Sequence, residues 1–286
     1  MPTVDTSAVN SLTLKLREFE FGDEDFEALR ALVKQVTGIA LSSQKRELVY
    51  GRLARRLRAL NLRTFREYRN LLATNSDELV QFCNAITTNL TAFFREPHHF
   101  DHLRDEVLRP LAQGGRRRFR IWSAACSTGE EPYTIAMTVL ETLPDAERWD
   151  LRILATDLDS EVLGKASRGI YHADRLRSLS PERRRRFFTP VAGSREPHFQ
   201  VTPELQRLIT FKQLNLMHPL PMKGPLDLIV CRNVLIYFDK DTQRDLVSRM
   251  SRLQRPGDLL YLGHSESLFK VSSDYTLIGR TIYRRS

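Results

Sequence analysis

From residue 119 onward, apolar runs of strand length alternate with helix-patterned stretches, and no other feature limits the possible folds as much. Residues 119–125, 151–156, 208–213, 226–231 and 259–262 read as strands. Between them, Ile135, Ala136, Val139 and Leu140 share one face of a helix predicted over 132–143, with Pro132 in its first turn. Ser160 is placed to cap a helix over 161–167, with Asp159 at its start, and 241–253 forms a third helix. Apolar strands joined by helices predict a parallel sheet covered on both faces, an α/β domain. Residues 275–285 add an antiparallel pair turning at Gly279. The connection from about 157 to 208 is longer than a strand-helix-strand unit needs. Its excess, roughly 175–204, is either a small β-rich insertion or a plain surface loop.

Residues 1 to about 90 read as all-helical, with no strand. Phe26, Leu29, Leu32 and Val33 make one stripe; Leu53, Leu57 and Leu60 a second; Leu79, Phe82, Cys83 and Ile86 a third. Opposite the second stripe lie Arg52, Arg55, Arg56 and Arg63, which are either a solvated helix face or a docking surface for an acidic partner. The formal charge of +9 suits nucleic acid, an acidic membrane or an acidic protein face, and equally a basic protein with no anionic partner. No apolar run approaches the about 18 residues of a membrane helix. Residues 1–5 lack signal-peptide character, and Cys83, Cys126 and Cys231 are widely separated, so reduced thiols in a cytosol-like compartment are expected.

Ligands of open parallel sheets bind at the carboxyl ends of the strands. At the first end, "WSAACSTGEEP" (122–132) supplies small residues for close backbone approach and then Glu130 and Glu131. Glutamates at a helix N-terminus repel a pyrophosphate and suit a cationic ligand; they would also simply stabilise the helix dipole. At the second end, Asp157 is a partner for ribose hydroxyls. The third carries Asn215 and Leu216, an amide suited to an adenine edge, and the fourth emits Arg232, Asn233 and Tyr237. Together these imply a phosphate-free nucleoside with a positive end, and S-adenosylmethionine fits.

The stretches "TTNLTAFFREPHHF" (87–100), "WSAACSTGEEPYTIA", "ATDLDSEVLGKASRGIY", "VCRNVLIYFDK" and "GHSESL" (263–268) resemble the chemotaxis receptor methyltransferase (CheR) family over nearly the whole chain. The resemblance implies a Rossmann-like class I methyltransferase sheet with an N-terminal all-helical domain (1–88) for receptor docking. It also implies a linker (89–117) contributing to the cofactor site, a catalytic domain (118–286), and an antiparallel β-subdomain (about 175–205) inserted between the second and third strands. It implies S-adenosylmethionine as cofactor, S-adenosylhomocysteine as product, and contacts from Asn89, Thr91, Arg95, Glu131, Asp157, Asn215, Leu216, Arg232, Asn233 and Val234. Arg95 and Tyr237 would face the reacting centre. The implied substrate is a glutamate on the cytoplasmic methylation helices of chemoreceptors, methylated to an ester by a monomeric cytoplasmic enzyme without membrane insertion. In some members the β-subdomain docks a receptor tail peptide.

Other signals carry less. His98 and His102 have helical metal-ligand spacing, but no further ligand is evident and no metal is expected. Cys126 lacks a partner base and reads as a packing residue. The runs 116–118 and 183–186 read as solvated flanks. A nucleic-acid methyltransferase would suit the charge, but the sequence after the fourth strand is Arg232-Asn233-Val234-Leu235, not an Asn/Asp-Pro-Pro-aromatic turn. A non-enzymatic cofactor-sensing module would have no use for Arg95 and Tyr237.

Overall fold

The computed structural model describes residues 17–143 and 145–286, so the segment read for a leader, and the first part of the helical region, lie outside the described residues. The chain divides between Thr87 and Thr88 into two compact units.

The first unit is built of α1 (Asp23–Thr37), α2 (Arg46–Ala59), α3 (Phe65–Thr74) and α4 (Ser76–Ile86), with no strand among the described residues. The sequence sets the ends: Gly38 terminates α1 at φ 75°, the Thr64 hydroxyl caps α3, and the Asn75 amide oxygen caps α4. Phe26, Leu29, Val33, Leu53, Leu57, Phe82, Cys83 and Ile86 from the three stripes are buried; Leu32, Leu60 and Leu79 lie at their margins. Within this core Glu78, 5% exposed, accepts hydrogen bonds from Arg56 Nε (3.0 Å), Arg56 Nη2 (2.6 Å) and Tyr68 Oη (2.8 Å).

That arrangement corrects the reading of the arginine face. Arg56 is an internal tether whose charge is needed by a buried carboxylate, and Arg52 donates to the carbonyls of Ile86 and Thr87 at the end of α4. Only Arg55 and Arg63 of the four are exposed.

The second unit holds a seven-stranded sheet in the order β6-β2-β1-β7-β8-β10-β9. Its strands are β1 (Arg118–Ala124), β2 (Asp150–Asp157), β6 (Ile209–Gln213), β7 (Leu228–Cys231), β8 (Leu259–Leu262), β9 (Tyr275–Gly279) and β10 (Ile282–Arg285). The first five are parallel; β10 pairs antiparallel with β8 and with β9. Every residue of β7 and β8 is buried, which is why they read as continuous apolar runs. From β1 the chain moves outward to β2 and β6, then returns to β1's other side at β7. Ser123 thus lies beside Val230 at a topological switch point, where ligand crevices form.

The main helices are α5 (His98–His102), which runs on through a π-helical turn at Leu103–Leu108 to Arg109–Gln113, then α6 (Glu130–Thr142), α7 (Ser160–Arg168), α8 (Pro181–Phe187) and α9 (Lys240–Ser251). The cap of α7 is Asp159, not Ser160: its Oδ1 accepts from the N–H groups of Glu161 and Val162. The long connection forms a three-stranded antiparallel sheet, β3 (Ile170–His172), β4 (Phe188–Pro190) and β5 (His198–Val201), in the order β3-β5-β4 with α8 between β3 and β4. It starts at Ile170, ahead of the expected 175, because β3 follows α7 at once after the Gly169 cap.

The arginine runs lie largely at the surface, where several of them are paired within the fold. Arg116, Arg117 and Arg118 pair with Asp227, Asp145 and Asp150. Arg183 pairs with Glu141 and lies 3.9 Å over the Phe94 ring, while Arg184 and Arg186 donate to backbone carbonyls.

The two neighbouring arginines of α2 should therefore separate in denaturant titration. Arg56→Ala leaves Glu78 buried without its cation and is expected to lower stability by about 2–4 kcal/mol. Arg55→Ala is expected to cost less than about 0.5 kcal/mol.

Candidate active site

The turn after β1 passes through three left-handed residues: Ala125 (φ 65°), Ser127 (φ 51°) and Gly129 (φ 95°). Glycine is required at the last, since a Cβ there would lie 2.9 Å from both Ala166 Cβ and Tyr171 Oη. Tyr171 donates to the Thr128 carbonyl (2.7 Å), so the small sheet braces this turn. Cys126 is buried with no base beside it among the described residues, its thiol pushed up by burial, and serves as packing.

Both glutamates of the turn are buried and paired. Glu130 accepts from Arg175 Nε (3.0 Å) and from Thr128 Oγ1 (2.6 Å). Glu131 accepts from Ser123 Oγ (2.7 Å) on one oxygen and Arg232 Nε (2.9 Å) on the other. Burial pushes the Glu131 carboxyl up, while the Arg232 charge and the Ser123 bond act against it. The acidic turn is thus closer to charge balance than its sequence indicates. Arg232, expected among the cofactor contacts, is held within the fold beside the turn. Its side chain is only 3% exposed, and besides Glu131 it donates to the Arg95 carbonyl (2.7 Å) and faces His99 Nδ1 (3.1 Å).

Asp157 closes β2. Its Oδ2 accepts from Ser127 N (2.8 Å) and its Oδ1 from Asp159 N (2.9 Å), and with the Leu158 N–H also near, the carboxylate's four lone pairs are still not all taken. Burial, only partly offset by these bonds, raises its pKa to about 6. Asn89 donates to Asp159 Oδ2 (2.7 Å) and its carbonyl takes Ser127 Oγ (2.9 Å); the Thr91 carbonyl takes Arg175 (2.8 Å). Asn215 lies just past β6, with its amide oxygen turned onto Met217 N (2.9 Å); Leu216 is buried, and its carbonyl accepts from Arg249.

After β7, Asn233 takes φ 59°, and its backbone N–H and that of Val234 donate to the buried Glu266 at 2.8 and 2.7 Å. Ile236 N (3.3 Å) and Gly263 N (2.6 Å) complete a ring of four donors around that carboxylate. Tyr237 ends the following 3-10 turn half-buried, with no partner for its hydroxyl among the described residues. Arg95 is half-buried and donates to the Leu90 carbonyl (2.8 Å); no carboxylate pairs with it among the described residues.

Sequence reasoning passed over Glu96, Arg175, His264 and Glu266, although "FFRE" and "GHSESL" contained three of them. The Glu96 Oε1 lies 3.0 Å from His264 Nδ1 and 3.4 Å from Asn233 Nδ2. Burial would raise its pKa, but the His264 bond and the Arg232 charge outweigh that and hold it below the usual carboxylate range. Glu96, His98 and His99 have donor atoms within 4.8 Å of one another. The Arg232 guanidinium already stands against His99 Nδ1, a positive charge opposing a metal there. Burial also drives the His99 pKa to about 3, and its neutral ring stacks on Tyr261.

Two family models match the chain: CheR methyltransferase, all-alpha domain, over residues 24–87, and CheR methyltransferase, SAM binding domain, over 89–284. The chain is 43% identical over 290 positions to the chemotaxis protein methyltransferase of Escherichia coli (strain K12), covering 100% of this chain and 98% of that one. It is 43% identical to the Salmonella typhimurium protein of the same description (100% and 97% covered). It is 44% identical to chemotaxis protein methyltransferase 2 of Pseudomonas aeruginosa (93% and 95% covered).

If Asp157 receives ribose hydroxyls, its protonation weakens the site. S-adenosylmethionine affinity, measured by calorimetry, is expected to decline as pH falls through about 6. Asp157→Asn is expected to bind about 10–100-fold more weakly and to lose that pH dependence.

Proposed function

The chain belongs to the CheR methyltransferase family, and from that premise we propose that it transfers a methyl group from S-adenosylmethionine to glutamate carboxylates of chemotaxis receptors, giving glutamyl methyl esters. Its cofactor is S-adenosylmethionine. The residues present suit that molecule. Arg175 and Arg232, the cations beside the β1 turn, are neutralised by Glu130 and Glu131, so no charge there awaits a phosphate. Asp157 retains acceptor capacity at the end of β2, where a ribose is bound in such sheets. Asn89, Thr91, Glu131, Asn215, Leu216, Asn233 and Val234 belong to the same set of strand-end segments, and we assign the cofactor's surroundings to them.

The observation that carries a carboxylate as acceptor is Arg95. Its neighbour Arg232 is neutralised by Glu131, whereas Arg95 has only a backbone carbonyl as partner among the described residues. It is therefore free to take an anionic side chain. A glutamate with a pKa of about 4.3 is already ionised at neutral pH, so no general base is required. The bound cofactor supplies a methyl on a sulfonium, a leaving group that departs as a neutral thioether. Arg95 would hold one carboxylate oxygen while the other forms the new C–O bond, and Tyr237, with an unclaimed hydroxyl, would orient the pair.

Residues 89–117 contribute to the catalytic site, and the helical unit docks the receptor through the exposed Arg55 and Arg63. The small sheet is offered as a second contact for a receptor tail peptide. We place the chain in the cytoplasm, as a monomer; among the described residues no helix is long and apolar enough to cross a membrane. Against the nucleic-acid alternative, the segment after β7 is Arg232-Asn233-Val234-Leu235, not an Asn/Asp-Pro-Pro-aromatic turn.

Incubation with methyl-labelled cofactor should place base-labile label on receptor membranes and none on DNA or RNA; the reverse pattern would refute the assignment. Arg95→Ala is expected to lower kcat by about 100-fold or more while cofactor Kd stays within about threefold. Charge reversal at Arg55 and Arg63 together is expected to raise the receptor KM by about tenfold and to flatten its salt dependence, with kcat unchanged.

A further inference from the structure

Arg95 sits between two non-glycine residues with left-handed backbone, Phe94 at φ 53° and Glu96 at φ 58°. Such conformations persist only where surrounding contacts impose them. Four contacts do so here. The Phe94 N–H donates to Thr134 Oγ1 (3.2 Å), the Arg95 carbonyl accepts from Arg232 (2.7 Å), and the Glu96 Oε1 is clasped by His264 (3.0 Å) and more loosely by Asn233 (3.4 Å).

Glu96 is poorly suited to its position on local grounds. Glycine or asparagine would take that backbone more readily. Its second oxygen, Oε2, is buried with no hydrogen-bond partner, 3.7 Å from His99 Nδ1. Two local disadvantages in one residue, next to the arginine assigned to the substrate, indicate that the carboxylate does something its own surroundings do not explain. It joins the loop carrying Arg95 to the loops that follow β7 and β8. One oxygen is held by those loops and the other is closed off from solvent, so the carboxylate is not presented to a substrate.

We propose that Glu96 is a positioning residue for methyl transfer: clasped by His264 and Asn233, it fixes the kinked backbone that aims the Arg95 guanidinium at the substrate carboxylate. The assignment rests on the reading of Arg95 given above.

The test is a double-mutant comparison on the full chain, reading single-turnover transfer of labelled methyl to receptor membranes and cofactor Kd by calorimetry. His264 is 67% exposed on its side chain, so His264→Ala removes one clasp with little risk to folding; Glu96→Gln keeps the size and removes the charge. Each is expected to slow transfer by about 5–30-fold with cofactor Kd within about threefold, and neither to slow it further in the Arg95→Ala background, because residues acting as a unit are not additive. Full, independent losses in that background, unchanged transfer in both single variants, or loss of cofactor binding in either would overturn the assignment. An Arg95→Ala protein with normal turnover would overturn the reading of Arg95 and this assignment with it. A deficient Arg95→Ala protein to which the other changes add their full factors would overturn only the role of Glu96.

Discussion

The buried pair between Glu131 and Arg232 is the contact on which the rest of the site depends. Removing two charges from water is costly, and such a pair is stable only when its remaining donors and acceptors are also met. Here they largely are. Ser123 supplies the second bond to Glu131, while Arg232 reaches the Arg95 carbonyl and lies 5.2 Å from the centre of the Phe100 ring. The pair thereby joins the end of β1, the end of β7 and the segment carrying Arg95, at the switch point of the sheet. Moving one of these three segments would strand a buried charge, so the geometry of the site and the integrity of the fold are coupled.

The same economy of charge recurs throughout the second unit. The chain is strongly basic, yet Arg175, Arg183 and Arg232 are each opposed by an acid from another element. Glu266 is held differently, by four backbone N–H groups, and fixes the loop that presents Asn233 and Tyr237. Against this background Arg95, without a carboxylate partner among the described residues, and Asp157, a buried acid whose partners are backbone N–H groups, stand out at the site. At the strand ends they have capacity left for ligands of opposite character.

The parallel sheet was legible because its central strands β7 and β8, Leu228–Cys231 and Leu259–Leu262, are buried throughout and read as unbroken apolar runs. The positions of the strand ends followed, and with them the expectation that Asp157 and the Asn233 loop meet one ligand. What the sequence hid was pairing between distant residues. Glu131 looked like an open negative charge until Arg232, 101 residues later, occupied it. Arg56 looked like part of a surface stripe because helical periodicity cannot show that Glu78 points inward from another helix. Ser160 looked like a cap because serine commonly is one, but the residue before it, Asp159, makes both bonds. Glu96 and Glu266 sat in stretches that were noticed, but their roles depend on left-handed backbone and converging N–H groups that no local pattern encodes.

The most direct test of this account is a crystal structure with S-adenosylhomocysteine bound. The account requires the ribose hydroxyls on Asp157, the sulfur facing the Arg95 and Tyr237 side of the crevice, and the Glu131–Arg232 contact unbroken near its present 2.9 Å. A ligand bound away from Asp157, or an Arg232 side chain swung out of its pair to meet the ligand, would contradict it.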